Sequence, residues 1–177
     1  MGSSRVPAPT PSWEGVIGLA RADAAGFSGW VAPHLGAMRR AAAAFAPAAS
    51  ADDAVQEALI RAWKHRDSFD SSRGTARSWL VAITIRQAQT LRSKVRADPV
   101  LAELASHDAD RDEVMDLRHQ VRRLPRAQRM TVVLHYYVDL SVNEIAEVLN
   151  VSSGTVKSNL ADARRALARN VKERLHE

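Results

Sequence analysis

Cysteine is absent from all 177 residues. Disulfides, zinc knuckles and thiol catalysis are therefore excluded, since each needs a sulfur ligand or a thiolate. No run of about 18 apolar residues occurs, which is what a membrane-crossing helix requires. No membrane partner is expected. Glycine and proline are scarce after residue 50, and aromatic residues make up only 5% of the chain. The histidines, His34, His65, His107, His119, His135 and His176, are scattered. They form neither an H-x-x-x-H nor an HExxH spacing, so no metal site is expected. Neither a Gly-rich phosphate loop nor a G-x-S-x-G elbow is present. No catalytic residue and no cofactor are implied, and an enzyme is not expected. The opening stretch "MGSSRVPAPTPSWEG" has one Arg and no apolar core, unlike a signal peptide. Its Pro and Ser content predicts a flexible segment over residues 1–25. A cytoplasmic location is expected.

What is there is helical and unevenly charged. The chain carries a net charge of +5. Residues 1–96 hold a net +6, residues 97–116 a net −6, and residues 117–177 a net +5. Basic blocks on either side of an acidic segment suit a polyanionic partner such as nucleic acid. They are equally compatible with two ordinary surfaces and a solvated linker.

Apolar residues recur at helical spacing. The expected fold class is all-α: two small helical domains joined by an acidic linker. The boundaries drawn are 26–96, 97–116 and 117–177. A first helix is expected from Phe27 to Phe45, with Pro33 in its first turn or kinking it. A second, "DDAVQEALIRAWKH", follows a cap at Ser50 or Asp52. Val55, Ala58, Leu59, Ala62 and Trp63 share one face of it, and Asp53, Glu57, Ile60 and Lys64 the other. The polar loop "RDSFDSSRGTA" leads into a third helix over 76–95, anchored by Trp79, Leu80, Ile83 and Leu91. After the linker, a helix is expected near 115–123, and Pro125 opens another.

The segment "SVNEIAEVLNVSSGTVKSNLADARRAL" reads as two helices with a tight turn. Ser141 and Glu144 form a capping box. Ile145, Val148 and Leu149 supply an apolar face, and Asn150 suits a left-handed turn. Val151 is expected to plug the small core, and Ser152 or Ser153 to cap the next helix. There Val156, Leu160, Ala163 and Leu167 form the inward stripe. Ser158, Ala161, Asp162 and Arg165 face out, with Lys157 and Arg164 on one flank. Such a helix can enter a major groove N-terminal end first. Lys157 could reach a phosphate or a guanine, and Ala161 a thymine methyl.

Two segments carry a family resemblance. "ADDAVQEALIRAWKHRDSFDSSRGTARSWLVAI" and "LPRAQRMTVVLHYYVDLSVNEIAEVLNVSSGTVKSNLADARRAL" resemble the two signature regions of bacterial sigma factors of the extracytoplasmic-function (ECF) group. The likeness covers residues 27–96 and 117–172. It implies sigma domain 2 and sigma domain 4, which bind core RNA polymerase through its β′ clamp helices and β flap. It also implies promoter DNA as a partner, with domain 2 reading the −10 element and domain 4 the −35 element. An anti-sigma protein is a further partner the resemblance admits.

Site residues carry over by position. The polymerase-binding helix places Asp53, Gln56, Glu57, Ile60 and Arg61 at the β′ clamp. The −10 contacts are Ser68, Asp70, Ser71, Ser72, Arg73, Gly74, Thr75, Arg77, Arg86 and Arg92, with Lys94 and Arg96 as further backbone contacts. Phe69 and Trp79 are expected to support the loop rather than stack on bases. The −35 contacts are Ser153, Thr155, Lys157, Ser158, Ala161, Asp162 and Arg165. The chain departs from the pattern at Ile85, Arg86 and Thr90, where the family has Arg-Asn and then Asp, and at Asn159 and Asp162, where it has Arg. Altered −10 and −35 preferences are expected. The acidic linker is either a solvated tether or a nucleic-acid mimic in a basic channel. The alternative to a promoter-specificity subunit is a stand-alone helix-turn-helix regulator whose first module senses a ligand or dimerises.

Overall fold

The computed structural model describes residues 23–95 and 111–174. The flexible segment expected over residues 1–25 falls outside these residues up to position 22, as do Arg96 and most of the acidic linker. Every regular element among the described residues is helical.

The chain divides into two compact units, Met1–Pro33 and His34–Glu177. The first contributes α1, Ala24–Val31. Asp23 caps it by accepting from the Gly26 N–H at 2.7 Å, which satisfies one amide that has no partner inside the helix. Trp30 and Val31 are buried, and the Phe27 and Trp30 rings lie 5.9 Å apart.

The second unit opens with α2, Leu35–Phe45. The continuous helix expected from Phe27 to Phe45 is instead two helices with a 3₁₀ turn, Ala32–His34, between them. Pro33 has no N–H and its ring crowds the preceding turn, so the α-helix cannot run through it. Ala37, Ala41, Ala42 and Ala44 are buried in α2, and their small side chains allow close helix approach. Helix α3, Ala51–Lys64, starts after Ser50, whose side chain makes no capping bond. Helix α4 spans Ala76–Val95. Helices α2, α3 and α4 pack on one another.

The C-terminal half begins with α5, Arg111–Arg123, followed by α6, Arg126–Val132. A π turn, Val133–Tyr137, continues α6. Helix α7 covers Val142–Leu149 and α8 Ser153–Arg174. Both α6 and α7 rest on α8, and α7 also packs against α4. One hydrophobic cluster runs through the unit, from Phe45, Val55 and Val81 to Leu134, Ile145, Val156 and Leu160.

That double packing changes the anchors of α4. Trp79, Ile83 and Leu91 are half-buried, whereas Leu80, Val81, Thr84, Ile85, Gln87 and Ala88 are buried. A helix covered on two sides shows no single apolar stripe. The buried Thr84 hydroxyl donates back to the Leu80 carbonyl at 2.9 Å and so carries no unmet polar group into the core.

Candidate nucleic-acid and polymerase interfaces

Helix α3 is amphipathic as expected. Ala54, Val55, Ala58 and Ala62 are buried. Asp53, Gln56, Glu57, Ile60 and Arg61 are all exposed, so the five candidate polymerase contacts share the outward side. Ile60 keeps 42% of its surface in water, an apolar side chain among charged neighbours on the outward side. Asp52 and Asp53 stand in the first turn and Arg61 and Lys64 in the last, each matching the helix dipole.

The loop before α4 is held by its own polar groups. Ser68 Oγ donates to the His65 carbonyl at 2.6 Å. Asp70 Oδ1 accepts from Ser72 Oγ at 2.7 Å and from Ser72 N–H at 2.9 Å. The hydroxyl, and after it the backbone N–H, hold the Asp70 carboxyl below its usual range. Arg73 N–H closes the turn on the Asp70 carbonyl at 3.1 Å. Phe69 is buried, its ring tilted against Trp79 at 5.6 Å between centroids. Thr75 Oγ1 accepts from the Ser78 N–H at 3.1 Å and caps α4.

A cavity of about 500 Å³ opens beside this loop. Ser68, Asp70, Arg73, Gly74 and Arg86 border it, along with Phe69 and Trp79. Trp79, Ile83 and Arg86 succeed one another at helical spacing along its wall. Ser71, Ser72 and Thr75 are exposed on the same loop. Arg92 is half-buried further along α4, roughly 24 Å from the start of the helix at 1.5 Å per residue. It stands apart from the loop group. Arg77 does not face open solvent. It pairs with Asp139 at 3.5 Å and Glu144 at 3.9 Å, and donates to the Val138 carbonyl at 3.3 Å.

The sequence reading missed the other side of the cavity. Glu147, Val148 and Asn150 of the C-terminal half also line it. No local pattern marks them, because they lie about 70 residues from the loop they meet.

His34 stands among these charges. Burial, and next the Arg77 guanidinium, lower its pKa from 6.5, with Glu144 opposing. The folded chain thus binds this proton more weakly than the unfolded chain. Stability from the site is fully present above the unfolded value and drains as pH falls through 6.5 towards the folded value. Thermal unfolding should therefore move to lower temperature between about pH 7 and pH 5, and His34→Gln should flatten that dependence. Melting curves of both proteins at several pH values check it.

The helix-turn-helix follows the sequence pattern closely. Ser141 Oγ accepts from the Glu144 N–H at 3.3 Å, and Glu144 Oε2 accepts from the Ser141 N–H at 3.0 Å. Asn150 is left-handed, with φ of 53°. Ser152 caps α8, accepting from the Thr155 N–H at 3.0 Å. Val156, Leu160 and Ala163 are buried and Leu167 half-buried. Val151, expected in the core, is 39% exposed. The Val151 N–H is turned back to the Ala146 carbonyl at 3.0 Å, and Ile145 fills the centre instead.

Ser153, Thr155, Lys157, Ser158, Ala161 and Arg165 are exposed on the outer side of α8. Asp162 is not an isolated acid there. Its Oδ1 accepts from Arg165 one turn on. Arg164 Nε donates to the Tyr136 hydroxyl at 2.7 Å, fixing that flank of the helix to the π turn.

Comparison with known proteins places both halves. Residues 30–97 match Sigma-70 region 2 and residues 115–167 match Sigma-70, region 4. The ECF RNA polymerase sigma factor SigW of Bacillus subtilis is 32% identical over 145 residues, which is 70% of this chain and 76% of SigW. The ECF sigma factor SigL of Mycobacterium tuberculosis is 29% identical over 136 residues, 71% of this chain and 77% of SigL. Among solved structures, CnrH in complex with the cytosolic domain of CnrY superposes with a TM-score of 0.68 at 27% identity, covering 89% of this chain and 96% of that one. RpoE of Bartonella quintana, solved with the anti-sigma factor NepR, shares the fold at a TM-score of 0.61 and 24% identity, over 82% of this chain and 96% of that one. Two sigma regions in order, a shared all-helical fold and an ECF relative matched over most of both chains lead to one assignment: the chain belongs to the sigma-70 family, as an ECF RNA polymerase sigma factor.

Proposed function

We propose that the chain binds core RNA polymerase and directs it to promoters whose −10 and −35 elements it reads with separate surfaces. In this reading residues 26–96 form sigma domain 2, residues 97–116 the linker and residues 117–177 sigma domain 4. The outward side of α3 docks on the β′ clamp helices, domain 4 meets the β flap, and the whole acts in the cytoplasm with the polymerase. An anti-sigma protein is a possible partner on this reading, as NepR is for RpoE in its solved complex.

The observation that carries the proposal is the division of α8. Its inward stripe is spent on the core, while Ser153, Thr155, Lys157, Ser158 and Ala161 project from its first turns into solvent. A capped helix with a free N-terminal half is the geometry that enters a major groove. Phosphate contacts there fix position, and base contacts choose the sequence. The loop beside the cavity offers domain 2 a pocket for an extruded base, whose selection offsets part of the cost of opening the duplex. Arg86 on its wall has five fixed donors, where the family's Asn has two, so it favours a base edge rich in acceptors.

Lys157→Ala should lower transcription from a −35-dependent promoter by roughly 5- to 30-fold, the value of about 1–2 kcal/mol from one lost phosphate or base contact. Binding to core polymerase should not change. Run-off transcription and a core-binding titration on the same variant check both halves of that statement. An equal loss in the two assays would count against α8 as the −35 reader.

A further inference from the structure

The π turn presents an aromatic side chain to solvent. It is closed by the Val138 N–H on the Val133 carbonyl at 3.0 Å, and it leaves Tyr136 58% exposed. Single π turns are uncommon and frequently stand at functional sites. The rings of His135 and Tyr136 meet edge to face, 4.8 Å between centroids. His135 is itself tied by Nδ1 to the Leu140 carbonyl at 3.0 Å, so the tyrosine is braced from behind. In front, its hydroxyl accepts from Arg164 Nε at 2.7 Å, and the guanidinium carbon lies 5.8 Å from the ring centroid.

Arg164 keeps its charge in this arrangement, because a phenol hydroxyl is neutral. Among the described residues no carboxylate pairs with it, whereas Arg165 next to it is answered by Asp162. One of its five N–H groups is used on Tyr136, and four remain. Lys157, Ala161 and Arg164 follow one another at helical spacing along one flank of α8, and all three are exposed. Arg164 stands about 10 Å beyond Lys157, at 1.5 Å per residue. A major groove is roughly 12 Å wide and about 8.5 Å deep. A helix that enters by its first turns therefore carries its later turns at the groove edge, where the phosphates are.

We infer that Tyr136 is a positioning residue, which holds Arg164 ready as a phosphate contact at the groove edge. The inference rests on the −35 reading of α8 given above. An arginine on a helix surface samples many rotamers, and fixing one of them on binding costs affinity. The Tyr136 hydroxyl holds Nε before DNA arrives, and attraction to the ring face keeps the guanidinium near it. The remaining N–H groups keep the planar fork that suits two phosphate oxygens. Arg164 then adds affinity at every sequence alike, and sequence choice stays with the first turns of α8.

Arg164→Ala and Tyr136→Phe, made in the full chain, test this on a random-sequence duplex oligonucleotide, with binding followed by fluorescence anisotropy over a range of salt concentrations. Random sequence suits the test because a phosphate contact is indifferent to the bases. Arg164→Ala should weaken binding about ten-fold at low salt and reduce the log–log salt slope by about 0.9. Tyr136→Phe keeps both the ring and the arginine's charge. It should weaken binding about three-fold with the slope unchanged, and should have no effect in the Arg164→Ala background. An equal loss from Tyr136→Phe in both backgrounds would make its role purely structural and overturn the positioning. Lys157→Ala tests the −35 reading separately. If it weakens duplex binding while Arg164→Ala leaves affinity and slope unchanged, the inference is overturned and the −35 reading stands. If neither variant changes duplex binding, α8 is not the DNA-binding helix and both fall.

Discussion

Glu57→Arg should weaken binding to core RNA polymerase by roughly 10- to 100-fold, because reversing a charge beside an interface anchor both removes an attraction and adds a repulsion. The expectation comes from how α3 is divided. Its inner side is closed by Ala54, Val55, Ala58 and Ala62, so nothing on the outer side is needed for folding. There Ile60 stands exposed with Asp53 and Glu57 beside it. An apolar centre rimmed by charge is the usual anatomy of a protein-binding patch. Because Glu57 is exposed, the substitution should change stability by no more than about 0.5 kcal/mol. Lost polymerase binding in a protein that melts normally would locate the interface on α3. Unchanged binding would move it elsewhere and leave Ile60 as an ordinary exposed side chain.

Phe45→Ala should destabilise the chain by about 3–5 kcal/mol, the usual cost of emptying a buried aromatic site. Phe45 is 2% exposed at the end of α2, within the cluster that runs through the whole second unit. The alanines around it have little side chain with which to fill the space. Total stability of a domain is about 5–15 kcal/mol, so this single change removes a large share. Urea unfolding of the two proteins measures it. A cost under about 1 kcal/mol would mean that the helices close over the gap.

The local signals were legible because they are complete within a few residues. Ser141 and Glu144 need only each other to make a capping box. Asn150 needs only its own tolerance of a left-handed backbone. The outward set on α3 follows from a period of 3.6 residues. Signals that depend on distant partners were not legible. Glu147 looks like one more solvent-facing acid of a helix-turn-helix until Thr75 and Ser78 are seen against it. The expected stripe on α4 left out Val81, Ile85 and Ala88 because α7 covers a side that the periodicity leaves open. Val151 sat well in the pattern, yet the backbone turn after Asn150 carries it to the surface. The placement of the −10 candidates shows the same split. Ser68, Asp70, Arg73, Gly74 and Arg86 gather around one cavity, whereas Arg77 is drawn to Asp139 by a contact no sequence spacing reveals.

The pairing of Asp162 with Arg165 also bears on how the chain responds to ionic strength. Binding to DNA releases condensed counterions in proportion to the phosphates neutralised, with a log–log slope of about −0.9 for each. Arg165 has its charge answered within α8, and the Nε of Arg164 is held by Tyr136. Lys157 in the first turns of α8 and Arg169 further along it are also exposed and able to displace an ion. On the proposed −35 reading, the pairing of Arg165 should make the slope contributed by α8 shallower than its count of basic residues implies, leaving more of the sequence choice to hydrogen bonds and shape.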